Sequence, residues 1–157
     1  MVLSGTDLTN WLTNNDAYHF KGRPNQVIKR VAGNYTTTST TFVDIDATNL
    51  AITLSIFSGK ALVGFQGIFT SGFNNQGAGF DLMIDGVRYT SGSNGLFRTM
   101  TQPSGTILAA VYVLPITGLS QGSHVFKPQW YVTSSGGAGT LGGTANDPTT
   151  FWVTEIG

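Results

Sequence analysis

From residue 34 onward, hydrophobic and polar positions alternate with the period of two that sends successive side chains to opposite faces of a strand. Leu50, Ile52, Leu54 and Ile56 alternate with Ala51, Thr53, Ser55 and Phe57, and Phe80, Leu82 and Ile84 alternate with Asp81, Met83 and Asp85. Phe126, Trp130 and Val132 share one face of a later segment, with Lys127, Gln129 and Tyr131 on the other. The pattern predicts strands over 40–46, 50–57, 60–69, 78–84, 87–90, 95–101, 107–116, 123–133 and 149–156, separated by turn pairs such as Ser58-Gly59, Ser71-Gly72, Asp85-Gly86 and Gln121-Gly122. Asp85-Gly86 marks a tight hairpin, because a two-residue type I′ turn needs positive φ at both central positions. Many short strands with no helices between them predict an all-β antiparallel sandwich, of jelly-roll type.

Several segments depart from simple alternation. Phe42 and Ile45 do not share a parity, which predicts a bulge or register change near Asp44. Pro128 removes a ladder donor and is expected at an edge or bulge. Ile107–Ile116 is almost continuously apolar, so both its faces should be buried. The outer face of a two-sheet sandwich is normally wet, and Val111 and Val113 are therefore candidate subunit-interface residues. Ser134–Asp147, rich in Gly, Ser and Thr, reads as a flexible surface loop.

Residues 1–33 differ in kind. They hold four of the eight basic residues (Lys21, Arg23, Lys29, Arg30) and only the acids Asp7 and Asp16. Thr6 or Asp7 could cap a short helix whose apolar face carries Leu8, Trp11 and Leu12, ending before Lys21-Gly22-Arg23-Pro24. Such a helix is marginal alone. Leu8, Trp11, Leu12, Tyr18 and Phe20 are therefore expected to contact another subunit or a docking partner. The division expected is a leader or attachment segment at 1–33 and a sandwich at 34–157.

Composition narrows the function. The 157 residues carry 8 basic and 8 acidic side chains, a net charge of zero that leaves no electrostatic footprint for nucleic acid or an acidic membrane. Cysteine is absent, which removes disulfides and thiolate metal sites. No run approaches the roughly 18 apolar residues of a membrane span. Met1–Asp7 lacks the basic and apolar regions of a cleavable signal, so a role outside a cell implies release by lysis or assembly into a particle.

Residues 36–57, Gly122–Val132 and Phe151–Ile156 resemble the small jelly-roll structural proteins of tailed bacteriophages and prophages. Asp7–Leu12, Asn14–Asp16 and Phe20–Pro24 look like the short leader that often precedes such domains. The resemblance implies a jelly roll similar in outline to trimeric C1q/TNF-like heads. It also implies a homotrimer and a place on the virion, as fibre, tail tip or capsid-decorating protein, bound to other virion proteins through residues 1–33. It supplies no catalytic residues.

Candidate chemistry is thin. Asp44 and Asp46, two apart on a strand, would share a face and could bind Ca²⁺; the plainer reading is two solvated acids, with no third acid nearby. His19 and His124 stand in no ligand-like spacing, and no acid is paired with either by sequence. There is no Gly-x-Ser-x-Gly elbow, and Gly59-Lys60 lacks the rest of a phosphate-binding loop. Trp130, Trp152, Phe126 and Phe151 read as core, while Phe73, Tyr89 or Tyr131 could stack on sugars if exposed. The expectation is a non-enzymatic protein without cofactor. Its two candidate roles are a virion structural head and a carbohydrate- or receptor-binding module, the latter with a host-surface glycan as partner.

Overall fold

The computed structural model describes residues 25–100, 102–143 and 148–157. Twelve strands make up its regular structure: β1 (Gln26–Val31), β2 (Gly33–Thr37), β3 (Val43–Asp44), β4 (Ile52–Ile56), β5 (Lys60–Thr70), β6 (Ala78–Ile84), β7 (Val87–Arg88), β8 (Phe97–Arg98), β9 (Ile107–Thr117), β10 (Gly122–Val132), β11 (Gly139–Gly143) and β12 (Thr149–Glu155). They form two antiparallel sheets. In the first, β5 pairs along its length with β9 on one side; on the other it pairs with β12 and then β11, which carry β1 and β2 outside them. In the second, β10 lies between β6 and the β3/β4 pair, and β6 carries β7 and β8. Reading β1/β2, β3/β4, β7/β8 and β11/β12 as interrupted single strands gives four strands per sheet, in the chain-crossing order of a jelly roll.

Alternation sets the core. Ile52, Leu54, Ile56, Phe80, Leu82, Phe126, Trp130 and Val132 of the second sheet face Val63, Phe65, Phe69, Leu141, Phe151 and Val153 of the first, all buried. Aromatic rings bridge the sheets, with Phe65 5.8 Å from Phe80 and Tyr112 6.3 Å from Phe97, while Phe65–Tyr112 (5.5 Å) and Phe80–Phe97 (4.9 Å) stack within each sheet. Each such side chain contributes about 1.5–3 kcal/mol on full burial. The Asp85-Gly86 hairpin has the expected geometry, with φ of 52° and 82°. Glu155 ties the last strand to the β4–β5 turn by accepting from the amides of Phe57 and Ser58, both at 2.6 Å.

One irregularity is as expected, and three expectations need correction. The register change expected near Asp44 is present: Val43 and Asp44 pair with Trp130 and Gln129 and the Ile45 amide donates to the Pro128 carbonyl at 3.0 Å, but pairing with β10 resumes only at Ile52, opposite Phe126. Phe42 differs in parity from Ile45 because it packs outside the sheet, edge-on to Tyr131 with centroids 4.7 Å apart. Pro128 sits in the central strand of the second sheet rather than at an edge. Its N and C=O point to the same side, towards Ile45 at the register break between β3 and β4, where the carbonyl accepts from the Ile45 amide and only the reciprocal ladder bond is lost.

The segment expected as a loop over 134–147 contains β11. Small residues there admit close neighbours, since a Cβ on Gly139 would meet Val132 at 2.5 Å, and Leu141 is its one buried anchor. The third correction concerns the expected leader. Gln26–Val31 pairs residue by residue with β12, and Val27 and Val31 pack on the core, so the sandwich starts at or before Gln26. The expected helix and Leu8, Trp11, Leu12, Tyr18, His19 and Phe20 lie outside the described residues.

Candidate functional site

The outer face of the first sheet follows from strand register. One row runs Ile28, Trp152, Gly64, Val113 across β1, β12, β5 and β9; the next runs Arg30, Thr150, Gln66, Val111. Because Phe151 and Val153 point into the core, Trp152 must point out, and it is half-buried there rather than a core residue as expected. Its indole lies across Gly64: a Cβ at that glycine would fall 2.1 to 2.4 Å from three indole ring atoms. Trp152, Ile28, Gln26, Arg30, Gln66 and Thr150 line an open groove of about 440 Å³.

Across the same face, β9 separates its two sides. Leu108, Tyr112 and Leu114 pack against the core and Ala110 and Ile116 are buried in it, while Ile107, Val111 and Val113 project outward, 67%, 52% and 57% exposed. The strand carries no charged residue and has no second strand partner among the described residues. The candidate interface residues Val111 and Val113 thus lie side by side on an uncovered apolar edge.

Asp44 and Asp46 do not form a shared site. The strand ends at Asp44, whose two oxygens accept from Lys127 Nζ at 3.0 Å and Gln129 Nε2 at 2.9 Å. Asp46 instead caps the following turn, accepting from the amides of Thr48 and Asn49, the Asn49 side chain and the Tyr35 hydroxyl. Burial raises the Asp46 carboxyl, but these donors outweigh it and hold it below the usual carboxylate range. Burial and the same hydrogen bond push the Tyr35 hydroxyl up to about 12. Lys127 beside Asp44 opposes a cation there, and among the described residues no three His, Asp or Glu side chains cluster as metal ligands.

The structure pairs His124 with an acid, which sequence spacing did not reveal. Its Nδ1 is 2.6 Å from Asp85 Oδ2, and its Nε2 is 2.9 Å from the Ser120 carbonyl and 3.4 Å from Ser120 Oγ. The Ser120 carbonyl and Asp85 raise the His124 pKa against its desolvation. This has the composition of a nucleophilic triad but not its hydrogen bonding. Both ring nitrogens face acceptors, Asp85 and the Ser120 carbonyl, which favours the doubly protonated ring, and an imidazolium has no lone pair for the serine proton. The arrangement pins the β9–β10 turn to the β6–β7 hairpin.

On the outer face of the second sheet, Asp81 is fully buried. It accepts from the Leu82 amide and, at 2.6 Å, the Thr90 hydroxyl, and forms an ion pair with Arg88, whose Nε stands 3.1 Å away. Of the aromatics considered for sugar stacking, Tyr131 is buried against Phe42, while Phe73 and Tyr89 are exposed on separate loops.

The fold and its surfaces define an antiparallel β-sandwich of jelly-roll type with a largely uncharged outer face on its first sheet. The same fold occurs in a chain from the structure of infectious bursal disease virus Gx strain (TM-score 0.53, 10% identity, covering 85% of this chain and 32% of that one). Weaker similarity is found to the CBM36-1 domain of a multidomain xylanase from the hindgut metagenome of Trinervitermes trinervoides (TM-score 0.44, 15% identity, 85% and 99% covered) and to murine APRIL (TM-score 0.44, 12% identity, 84% and 100% covered). The chain spans about a third of the viral chain's length. At these identities the likeness is one of fold. No family model and no curated protein sequence matches the chain. Among the described residues no helix is long and apolar enough to cross a membrane.

Proposed function

We propose that the chain is a non-enzymatic structural subunit of a tailed-phage virion: a homotrimeric surface head, as capsid decoration, head fibre or tail fibre or tip, held to the particle through its N-terminal segment. The observation that carries this reading is the outer row of β9, where Ile107, Val111 and Val113 are more than half exposed on an uncharged edge strand. Natural sheets guard exposed edges with charges, prolines or bulges. Here Pro115 is the one such device, and the remaining ten residues of the strand leave the edge open. Covering these three side chains with a neighbouring subunit recovers roughly 1 kcal/mol apiece, about half of a full burial.

The virion assignment rests on the resemblance of residues 36–57, 122–132 and 151–156 to phage jelly-roll proteins. The absence of an enzymatic role is supported by the hydrogen bonding of His124, both of whose ring nitrogens are committed.

Sedimentation equilibrium of the full chain tests the assembly. A trimer is expected at micromolar concentration, and Val111→Lys or Val113→Lys should dissociate it by burying an unpaired charge. A monomeric parent protein, or two lysine variants that both remain trimeric, overturns the proposed interface. Immunogold labelling of intact particles should place the protein on the virion, and unlabelled particles would remove that part of the reading.

A further inference from the structure

We propose that the groove floored by Trp152 binds a pyranose residue of a glycan, with preference for one that carries a carboxylate. The site is distinct from the β9 row. Trp152 and Val113 lie two strand spacings apart, about 10 Å, on either side of β5.

Three features of the groove specify this ligand chemistry. The first is a flat aromatic floor. Gly64 lets the indole lie down on the sheet, so one ring face is packed and the opposite face turns to the groove. A pyranose offers a complementary apolar face of axial C–H groups, and Ile28 extends the apolar floor beside the ring. The second feature is a rim of uncommitted planar hydrogen-bonding groups. The side chains of Gln26, Arg30 and Gln66 are exposed, and none is hydrogen-bonded to another described residue. Amide and guanidinium groups can each donate to sugar oxygens, and the amides can also accept from hydroxyls. An aromatic floor with a few polar groups at its rim is the general make-up of a small-molecule site.

The third feature is charge. The groove holds one ionisable side chain, Arg30, and no acid. Arg30 makes no ion pair with another described residue, leaving its planar fork open to a carboxylate. That favours a uronic or sialic acid over a neutral hexose.

A glycan array carrying neutral, uronic-acid and sialic-acid glycans, probed with the full chain, tests this directly. Acidic glycans should be retained in preference to neutral ones. Trp152→Ala should weaken binding by at least about tenfold, the scale of a lost stacking contact, while Trp152→Phe should keep most of it. Arg30→Gln should remove the preference for acidic glycans and leave any neutral binding in place. Val113→Lys, which tests the subunit contact, should leave glycan binding unchanged. Because Trp152 lies outside the core, its variants should fold, with circular dichroism as the check; if Trp152→Ala does not fold, Arg30→Gln and Gln66→Ala decide the matter. An array with no saturable binding, or binding that survives Trp152→Ala, overturns the site. So does a Trp152→Ala protein that dissociates while the parent binds no glycan, which would make the groove a subunit contact. Preference for neutral glycans overturns the role given to Arg30.

Discussion

Replacing Arg88 with alanine removes the one cation facing Asp81. That carboxylate is fully shielded from solvent, and its other partners are the neutral Leu82 amide and Thr90 hydroxyl. Arg88 also donates to the carbonyls of Thr90 at 2.7 Å and Gly92 at 2.8 Å, and its guanidinium carbon stands 4.5 Å from the centroid of the Phe42 ring. One side chain thus pins the β7–β8 connection over the second sheet. Leaving a buried charge unpaired costs about 3–5 kcal/mol. The Arg88 side chain is 30% exposed, so water can enter the vacated space and the lower end applies, about 3 kcal/mol. The lost cation–π contact adds about 0.5–1 kcal/mol. At about 2–4 °C per kcal/mol for a chain of this size, the melting temperature should fall by roughly 7–16 °C. The assay is thermal and urea unfolding at one fixed protein concentration, since subunit association would make the midpoint concentration-dependent. A double-mutant cycle with Asp81→Ala should return a coupling of at least about 2 kcal/mol, whereas Asp81→Leu with Arg88→Met should lie near the parent. A cost under about 1 kcal/mol for Arg88→Ala, with coupling in the range of exposed pairs, would refute the claim that Asp81 depends on this partner.

Tyr112 packs its ring on Phe65, but its hydroxyl is buried without a hydrogen-bond partner among the described residues; Tyr112→Phe should be neutral or up to about 1 kcal/mol stabilising in urea unfolding, and a loss of stability would reveal a hidden partner. The His124–Asp85 contact should make stability pH-dependent. The His124 pKa is raised above its ordinary 6.5, so its contribution is complete below that value and is lost as pH rises through the folded-state value. Burial raises the Asp85 carboxyl, but the Val125 amide and His124 outweigh it and leave it below its ordinary 3.8, so that contribution is lost only as pH falls through the lowered value. Stability from this pair should therefore peak between about pH 4 and 6.5, and His124→Gln should flatten the decline above it; a variant with the parent's alkaline limb would contradict this. Gly64→Ala places a methyl carbon where the Trp152 indole lies, so the ring must lift, and the tryptophan emission should shift to the red at a cost of about 1–3 kcal/mol. An unchanged spectrum would mean that the indole does not rest on Gly64.

Most of the sandwich was legible because its strands bury one face. Ile52–Ile56 and Ala78–Ile84 announce themselves by period two, and Asp85-Gly86 by the positive φ it must adopt. The strands that escaped are the ones whose sequence carries little apolar weight. Gln26–Val31 has Lys29 between Val27 and Val31 on the inward parity, a pattern tolerable on an outer strand such as β1, where a lysine stem can lie along the rim and keep its charge in water. Gly139–Gly143 has a single apolar side chain and forms because β5 and β2 supply partners on both sides. Pro128 misled for a related reason. The rule against proline in a central strand concerns a missing donor, and Pro128 stands where the register breaks between β3 and β4, so the missing donor interrupts no continuous ladder.

The groove was legible in principle, but only by applying parity more strictly than residue type. A tryptophan in a strand invites a place in the core, yet Phe151 and Val153 occupy the core positions of β12, and strict alternation leaves Trp152 no choice but the outer face. What the sequence could not supply was the neighbour. That Gly64 stands opposite Trp152 depends on the pairing of β12 with β5, eighty-eight positions apart in the chain, and register between distant strands is set by the whole sheet. Register likewise brings Arg30 and Gln66 to the same row, and brings Asp85 to His124 across 39 positions. The same reasoning separates the two roles proposed for this face. On β9 the outward side chains Ile107, Val111 and Val113 follow one another along a strand without a charged residue, which suits a protein neighbour. On β12 an outward aromatic is surrounded by amides and a guanidinium with no protein partners, which suits a small polar ligand. Both surfaces belong to one sheet, and the chemistry of the adjacent residues, two strands apart, distinguishes them.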